Sequence, residues 1–540
     1  MYRYLIKKKL LFAVCLFLTG LATLLGTGFA FVLSGLLDYA AGGQRKELIC
    51  FLGFACVYCL VCVATEWGEA IAEHALLKSA NEALKNDMFR AAMRSGIVSF
   101  ETKNSSYYLN ALTTKSDMCS NLYFRNCLEI PCLIFALLLG VAACIYVEPV
   151  MLGIMLLCAL ATVWVMRRAG GKVEASAKEF ADETSRYTQG LKDDFEGFRQ
   201  IKLFRIEENI TEKHNKENGI LEYKRFRNAK DMDTAARMGE TVGLLSTVII
   251  TGVASLFALN GSITVGSVLA LAQLAGKIVS PIASFSNVRA QLESAKPIVR
   301  EFEEMLAEPE GGEAPAGGRV GVCGDIRLEG VSFAYPGTET EALCHITATF
   351  EAGKKYAVLG ESGSGKSTLL SLLLGLFPDY TGSVTMGGME VRDLNPDFLY
   401  RHMGYMTQDS FLFGDTIRNN IALFRDCPEE RIWEAVRMAG IGELVENMPR
   451  GLDTMLEEGG RNLSGGERRR LCLARILLED APYLILDEAQ AGLDADTACQ
   501  MEEMLLSREG KTVISVMHNL NPVLLERYDY IYRMKDGQIG

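Results

Sequence analysis

Residues 359–369 read Leu359-Gly360-Glu361-Ser362-Gly363-Ser364-Gly365-Lys366-Ser367-Thr368-Leu369. The run before them, Lys355-Tyr356-Ala357-Val358-Leu359, is apolar and reads as a short buried strand. The run after them, Leu369-Leu370-Ser371-Leu372-Leu373-Leu374, has the density of a helix packed on a sheet. Strand, glycine-rich turn and helix in that order make a phosphate cradle. Gly360, Gly363 and Gly365 let the backbone approach an anion closely, and several N–H groups converge at the positive end of a helix. Lys366 is placed to reach the β- and γ-phosphates, and the Ser367 hydroxyl to hold Mg²⁺.

Working outward, four more stretches supply parts of the same chemistry. Tyr483-Leu484-Ile485-Leu486-Asp487-Glu488 is a buried strand ending in two carboxylates. Asp487 can reach Mg²⁺ there, and Glu488 can polarise a water attacking the γ-phosphate. Gln408 follows the strand-like Met403-Gly404-Tyr405-Met406-Thr407 and offers a neutral side chain to both metal and water. His518 ends the strand Thr512-Val513-Ile514-Ser515-Val516-Met517, within hydrogen-bonding reach of a γ-phosphate. Leu463-Ser464-Gly465-Gly466-Glu467 precedes a helical pattern and makes a second anion-binding N-terminus.

The chain has 540 residues, enough for two or three domains, and a net charge of −12, which argues against a nucleic-acid binder with its basic stripe. Its mean hydropathy is positive, so membrane spans are expected. Six are readable: Leu10–Leu37, then about 48–66, 128–147, 149–166, 241–259 and 263–288. The first is too long for a signal-peptide core and is followed by no small-residue cleavage pattern. Most of the 15 cysteines fall in apolar runs and read as small hydrophobes. Even Cys56-x-x-Cys59-x-x-Cys62 has no fourth ligand nearby in sequence.

The connections after the first, third and fifth spans are tiny, whereas those after the second and fourth are long and charged but keep helical periodicity. Lys7–Lys9 and Arg167-Arg168 put both termini and both long loops in the cytoplasm, against Arg45-Lys46 in the first short loop. Apolar pieces at the loop tips, around Phe100–Leu112 and Ile201–Ile210, are expected to dock on a cytoplasmic domain. On the sixth span Gln273, Lys277, Ser280, Ser284, Asn287 and Gln291 recur at steps of four and three, forming one polar stripe. Such a stripe lines a water-filled cavity or a helix seam. Lys277, one turn before Pro281, either serves that cavity or snorkels to an interface. Glu129, before Pro131, lies nearer a membrane boundary. Glu308-Pro309-Glu310-Gly311-Gly312 through Gly318 has linker composition, and alternating strand and helix patterns follow it to residue 540. The expected division is therefore a transmembrane domain over 1–300, a linker over 301–318 and a nucleotide-binding domain over 319–540.

Phosphate loop, glutamine loop, Leu-Ser-Gly-Gly signature, acidic strand and terminal histidine, in this order, resemble an ATP-binding cassette half-transporter of the exporter type. Phe100-Glu101-Thr102-Lys103-Asn104-Ser105 and Asn260–Gly266 also resemble that class. The resemblance implies an all-α six-helix membrane domain with long cytoplasmic helical extensions, followed by an α/β P-loop ATPase domain. It implies ATP and Mg²⁺ as ligands, with ATP held by Tyr335, Gly360, Ser362, Gly363, Ser364, Gly365, Lys366, Ser367 and Thr368. Ser464, Gly465, Gly466, Glu467 and Asp494 of an opposed cassette would complete the site. Mg²⁺ falls to Ser367, Gln408 and Asp487, and catalysis to Glu488, His518 and Gln408. The partner is a second copy or a related half-transporter, in the plasma membrane. The activity implied is ATP-driven export of an amphipathic small molecule, lipid or peptide by alternating access. An exporter-shaped importer, for example of a metal chelate, and an ATP-binding subunit of limited turnover stand as alternatives. Glu467 stands where glutamine is commoner, Glu457-Glu458-Gly459-Gly460 matches the class only in part, and no peptidase domain precedes the first span.

Overall fold

A computed structural model describes residues 1–307, 321–338, 340–407, 411–488, 490, 495–517 and 522–540. It divides into two compact units: Met1–Arg90 with Ser106–Ala307, and Ala91–Ser105 with Glu308–Gly540. Of the expected linker over 301–318, residues 308–318 lie outside the described residues.

The first stretch of chain is helical throughout: α1 (Arg3–Ile6), α2 (Lys9–Ala41), α3 (Arg45–Arg94), α4 (Ile97–Asn110), α5 (Ser116–Cys119), α6 (Arg125–Val147), α7 (Pro149–Glu196), α8 (Phe198–Phe204), α9 (Glu207–Leu259) and α10 (Val265–Ala307). Between α4 and α6 the helix widens into π turns at Ala111–Lys115 and Ser120–Phe124. Among the described residues, six helical stretches are long and apolar enough to cross a membrane. At 1.5 Å per residue the 50-residue α3 is about 75 Å long, more than twice a hydrocarbon core of about 30 Å. The charged connections are thus continuations of the spans. α10 runs to Ala307, so residues 301–307 are helical.

Local chemistry accounts for the sharp turns. Glu148 is extended (φ −160°), its carboxylate accepts from Val150 N at 3.4 Å, and Pro149 opens α7 where no N–H is needed. Asp38, near the end of α2, accepts from Gly266 N at 2.8 Å and from the Thr264 hydroxyl at 2.9 Å, capping the start of α10. Inside α2, the buried Thr23 and Thr27 hydroxyls donate to the carbonyls of Thr19 and Thr23, which satisfies both within the helix. Cys144, Met151, Met155, Ile250, Leu271 and Ile278 pack the apolar centre from α6, α7, α9 and α10.

The second unit holds two sheets. A four-stranded antiparallel sheet has the order β2 (Glu341–Phe350), β1 (Ile326–Ala334), β4 (Thr381–Met386), β5 (Met389–Glu390). A six-stranded sheet has the order β10 (Gln538–Ile539), β9 (Tyr530–Lys535), β3 (Lys355–Gly360), β8 (Thr512–Met517), β7 (Tyr483–Asp487), β6 (Met403–Met406). From β9 to β6 it is parallel. Strands β3, β7 and β8 are nearly continuous apolar runs because both faces are covered. The helices are α11 (Lys366–Leu373), α12 (Pro396–His402), α13 (Ile417–Ala422), α14 (Glu429–Met438), α15 (Gly442–Glu446), α16 (Gly465–Glu479) and α17 (Ala495–Leu506). The tip Ala91–Ser105 groups with this unit, in line with an apolar tip that needs a surface to rest on.

A side chain on Gly266 would sit 2.1 Å from Ser34 O and 2.7 Å from the Asp38 carboxylate, so α2 and α10 rely on its absence. Gly266→Ala should destabilise the membrane unit by about 1–3 kcal/mol in a detergent melting assay. Gly276→Ala, on the same helix with nothing within 4 Å, should leave the transition where it was.

Candidate nucleotide site

The parallel register brings the carboxyl ends of four strands to one edge. Leu359 pairs with Met517, Asp487 with Val516, and Met406 with Leu486. Ligands of such sheets bind beyond these ends. The phosphate loop leaves β3 here and enters α11 through Gly363 (φ 81°) and Gly365 (φ 97°), conformations that side chains resist.

Lys366 is only 5% exposed. Its Nζ donates to Gly360 O at 2.8 Å and to Glu361 O at 2.7 Å, so the ammonium is held by the loop's own carbonyls. Burial pulls its pKa below the usual lysine range, and the charges of Glu488 and Asp487 oppose that pull. Asp487 is 6% exposed, and burial pushes its carboxyl up while a hydrogen bond from Ser367 acts the other way. The Tyr405 hydroxyl also donates to Asp487 Oδ2, at 3.5 Å. Burial, then the Asp487 charge, raises the Tyr405 phenol above its ordinary range, with a smaller contribution from Glu101. Glu488 directly follows β7, has φ 49°, and donates its N–H to Val516 O at 3.0 Å. A non-glycine residue held in that conformation at a strand end marks a site whose surroundings impose it.

Tyr335 follows β1. Its hydroxyl shares a 2.9 Å hydrogen bond with Thr368 Oγ1, and its ring meets Phe333 and Phe377 edge-on. At 39% exposure it leaves a ring face open to a flat base. Ser464 caps α16: its hydroxyl accepts from Glu467 N at 3.3 Å, and the Glu467 carboxylate accepts from Ser464 N at 2.7 Å. A reciprocal capping box takes glutamate or glutamine at this position, so the glutamate leaves the start of α16 intact.

The residues present fit a nucleotide phosphate. Ser364 Oγ is buried without a hydrogen-bond partner among the described residues. A side chain on Gly360 would come within 2.6 Å of that oxygen and of Met534 O. The Ser367 hydroxyl beside the Asp487 carboxylate is an all-oxygen pair suited to a hard cation. Gly360, Ser364, Lys366, Ser367, Asp487 and Glu488 thus form one cluster, with Tyr335 and Thr368 at its margin. Gln408, Asp494 and His518 lie outside the described residues. Tyr405 had no local signal, since its place beside Asp487 depends on the pairing of β6 with β7.

On α10, Gln273 and Ser280 are exposed, while Lys277 and Ser284 are half-buried. Lys277 Nζ lies against Gly26 of α2, and its backbone against Gly140 of α6. Lower on the stripe, Gln291 Oε1 accepts from Asn126 Nδ2 at 2.8 Å, a helix seam.

Family models describe two regions of the chain. Residues 10–282 match the ABC transporter transmembrane region, and residues 343–491 match the ABC transporter model. An ATP-dependent lipid A-core flippase of Pseudomonas aeruginosa is 35% identical over 335 residues, which span 59% of this chain and 55% of the flippase. The chain thus spans little more than half the length of that relative. An uncharacterised ABC transporter ATP-binding protein of Bacillus subtilis, YfiC, is 26% identical over 469 residues, spanning 84% of this chain and 76% of that protein. The solved structure of a bacterial Atm1-family ABC exporter with ATP bound superposes with a TM-score of 0.85 at 19% identity, covering 99% of this chain and 94% of that one, a likeness of fold.

If phosphate takes the place of the two carbonyls at the Lys366 ammonium, Lys366→Ala should lower affinity for a fluorescent ATP analogue at least about tenfold.

Proposed function

The chain belongs to the ABC transporter family, and from that premise we propose that it is one half of an ATP-driven transporter working as a dimer by alternating access. The observation that carries this reading is the cluster of Lys366, Ser367, Asp487 and Glu488 at one sheet edge, in a chain whose described residues include six helices apolar enough to span a membrane.

In this reading the Lys366 ammonium turns from its carbonyls to the β- and γ-phosphates, and the loop N–H groups hold the remaining phosphate oxygens. Ser367 and Asp487, with Gln408, hold Mg²⁺, which neutralises phosphate charge when bound. Glu488 takes a proton from the attacking water, His518 orients the γ-phosphate, and Tyr335 stacks on the base. Ser464 of a second copy, at the positive end of α16, covers the nucleotide from the other side, and Asp494 crosses between copies. ATP favours the closed pair of cassettes by binding both, and hydrolysis removes that preference. The exposed apolar residues Phe198, Leu203 and Phe204 on α8 support a further partner surface.

The division into a membrane domain over 1–300 and a nucleotide-binding domain over 319–540 belongs to this reading. So do the plasma membrane and cytoplasmic termini, which Lys7–Lys9 and Arg167-Arg168 support. The name of the flippase relatives supports an amphipathic, lipid-like cargo moved outward. Gln273, Lys277, Ser280 and Ser284 would line the path, with Lys277 meeting an anionic group.

Purified in lipid nanodiscs, the chain alone should hydrolyse ATP from a two-copy particle by mass, and Glu488→Gln should abolish turnover. A one-copy particle, or a two-copy particle no faster than the Glu488→Gln control, would refute the self-sufficient homodimer. Lys277→Ala should reduce stimulation of the ATPase by an anionic lipid and leave unstimulated turnover unchanged. Equal stimulation in both would rule out that role.

A further inference from the structure

Behind Glu488 lies a buried acidic group to which the nucleotide reading assigns no role. Glu502, on α17, is 3% exposed and stands among the buried Met501 and Leu505. Both of its carboxylate oxygens accept hydrogen bonds: Oε1 from the Tyr528 hydroxyl at 2.5 Å, Oε2 from Gln490 Nε2. Tyr528 is bonded in turn to Ser515 of β8. A small cavity beneath β7 and β8 has Glu488, Gln490, Glu502 and Ser515 in its walls. Burial pushes the Glu502 carboxyl up, and the bonds from Tyr528 and Gln490 offset part of that cost.

An apolar side chain at 502 would fill the space without any desolvation penalty, so the carboxylate is there for what it holds. Gln490 stands two residues beyond Glu488. Glu488 has left-handed backbone dihedrals, held by its N–H on Val516 O. Glu488 is therefore anchored by main chain to β8, and Gln490 by side chain to α17. We infer that Glu502 is a positioning residue for Glu488: through Gln490 it sets the path of the backbone from which the Glu488 carboxylate reaches the attacking water. The inference rests on the reading of Glu488 as the group that activates that water.

The test is steady-state ATPase of the full chain in nanodiscs, with melting temperatures recorded. Glu502→Leu and Gln490→Leu should each lower kcat about tenfold or more, with KM for ATP within about twofold of wild type, because a small misplacement affects chemistry more than binding. The double variant should be no slower than the slower single, since both remove the same Glu502–Gln490 hydrogen bond. Glu502→Gln, whose amide can pair with both partners, should recover most of the turnover. Gln490 is half-buried on a loop, so its variant keeps the test open if Glu502→Leu fails to fold. Single variants with kcat within about twofold of wild type, or losses that multiply in the double variant, would overturn the inference while Glu488→Gln still abolished turnover. Wild-type turnover no greater than that of Glu488→Gln would remove the reading of Glu488 and this inference with it.

Discussion

The buried ammonium of Lys366 is the charge around which the second unit is built. A lysine at 5% exposure needs acceptors, and the phosphate loop supplies two of its own carbonyls at 2.7 and 2.8 Å. That arrangement requires a loop that bends back over the end of β3, which in turn requires Gly363 and Gly365 at positive φ. It also requires negative charge nearby, supplied by Glu488 and Asp487 from the end of β7. The same ammonium can turn to other oxygen acceptors that approach the loop. The loop is thus preorganised by the interactions that hold its own fold.

A different constraint governs the first unit. Lipid offers no hydrogen bonds to a bare backbone, so the chain there has to be helical and its ends have to be capped from within. Asp38 does this for α10, Glu148 and Pro149 for α7, and the Thr19-Thr23-Thr27 ladder handles side-chain hydroxyls inside α2. Close approach of α2 to α10 depends on Gly266, and that of α6 to α10 on Gly140, where a side chain would meet Lys277 O at 3.1 Å.

Much of this was legible in local sequence because it depends on period and on turn chemistry. Apolar runs long enough to span a bilayer predict the six long helices, and strand-glycine-helix order predicts the phosphate loop. The structure added what depends on register. The pairing of β6 with β7 sets Tyr405 beside Asp487, and β8 supplies the carbonyl that holds Glu488 in a strained conformation. Nothing local foretold the π turns at Ala111–Lys115 and Ser120–Phe124, or that Ala91–Ser105 would group with the second unit. The structure also showed that Glu467 completes a capping box with Ser464, a role glutamine would fill as well.

By itself, then, the sequence determined the kinds of element, their order, and the glycine-rich turn between β3 and α11. Those properties follow from hydrophobic period and backbone freedom over a few residues. The tertiary structure decided which carboxylates share a site with Lys366. It also decided which carbonyls hold the ammonium, and how Glu502 reaches Gln490 across 12 positions of chain. Such contacts are made between strands and helices distant in sequence. Burial then sets their strength, by removing the water that would otherwise compete for each of these groups.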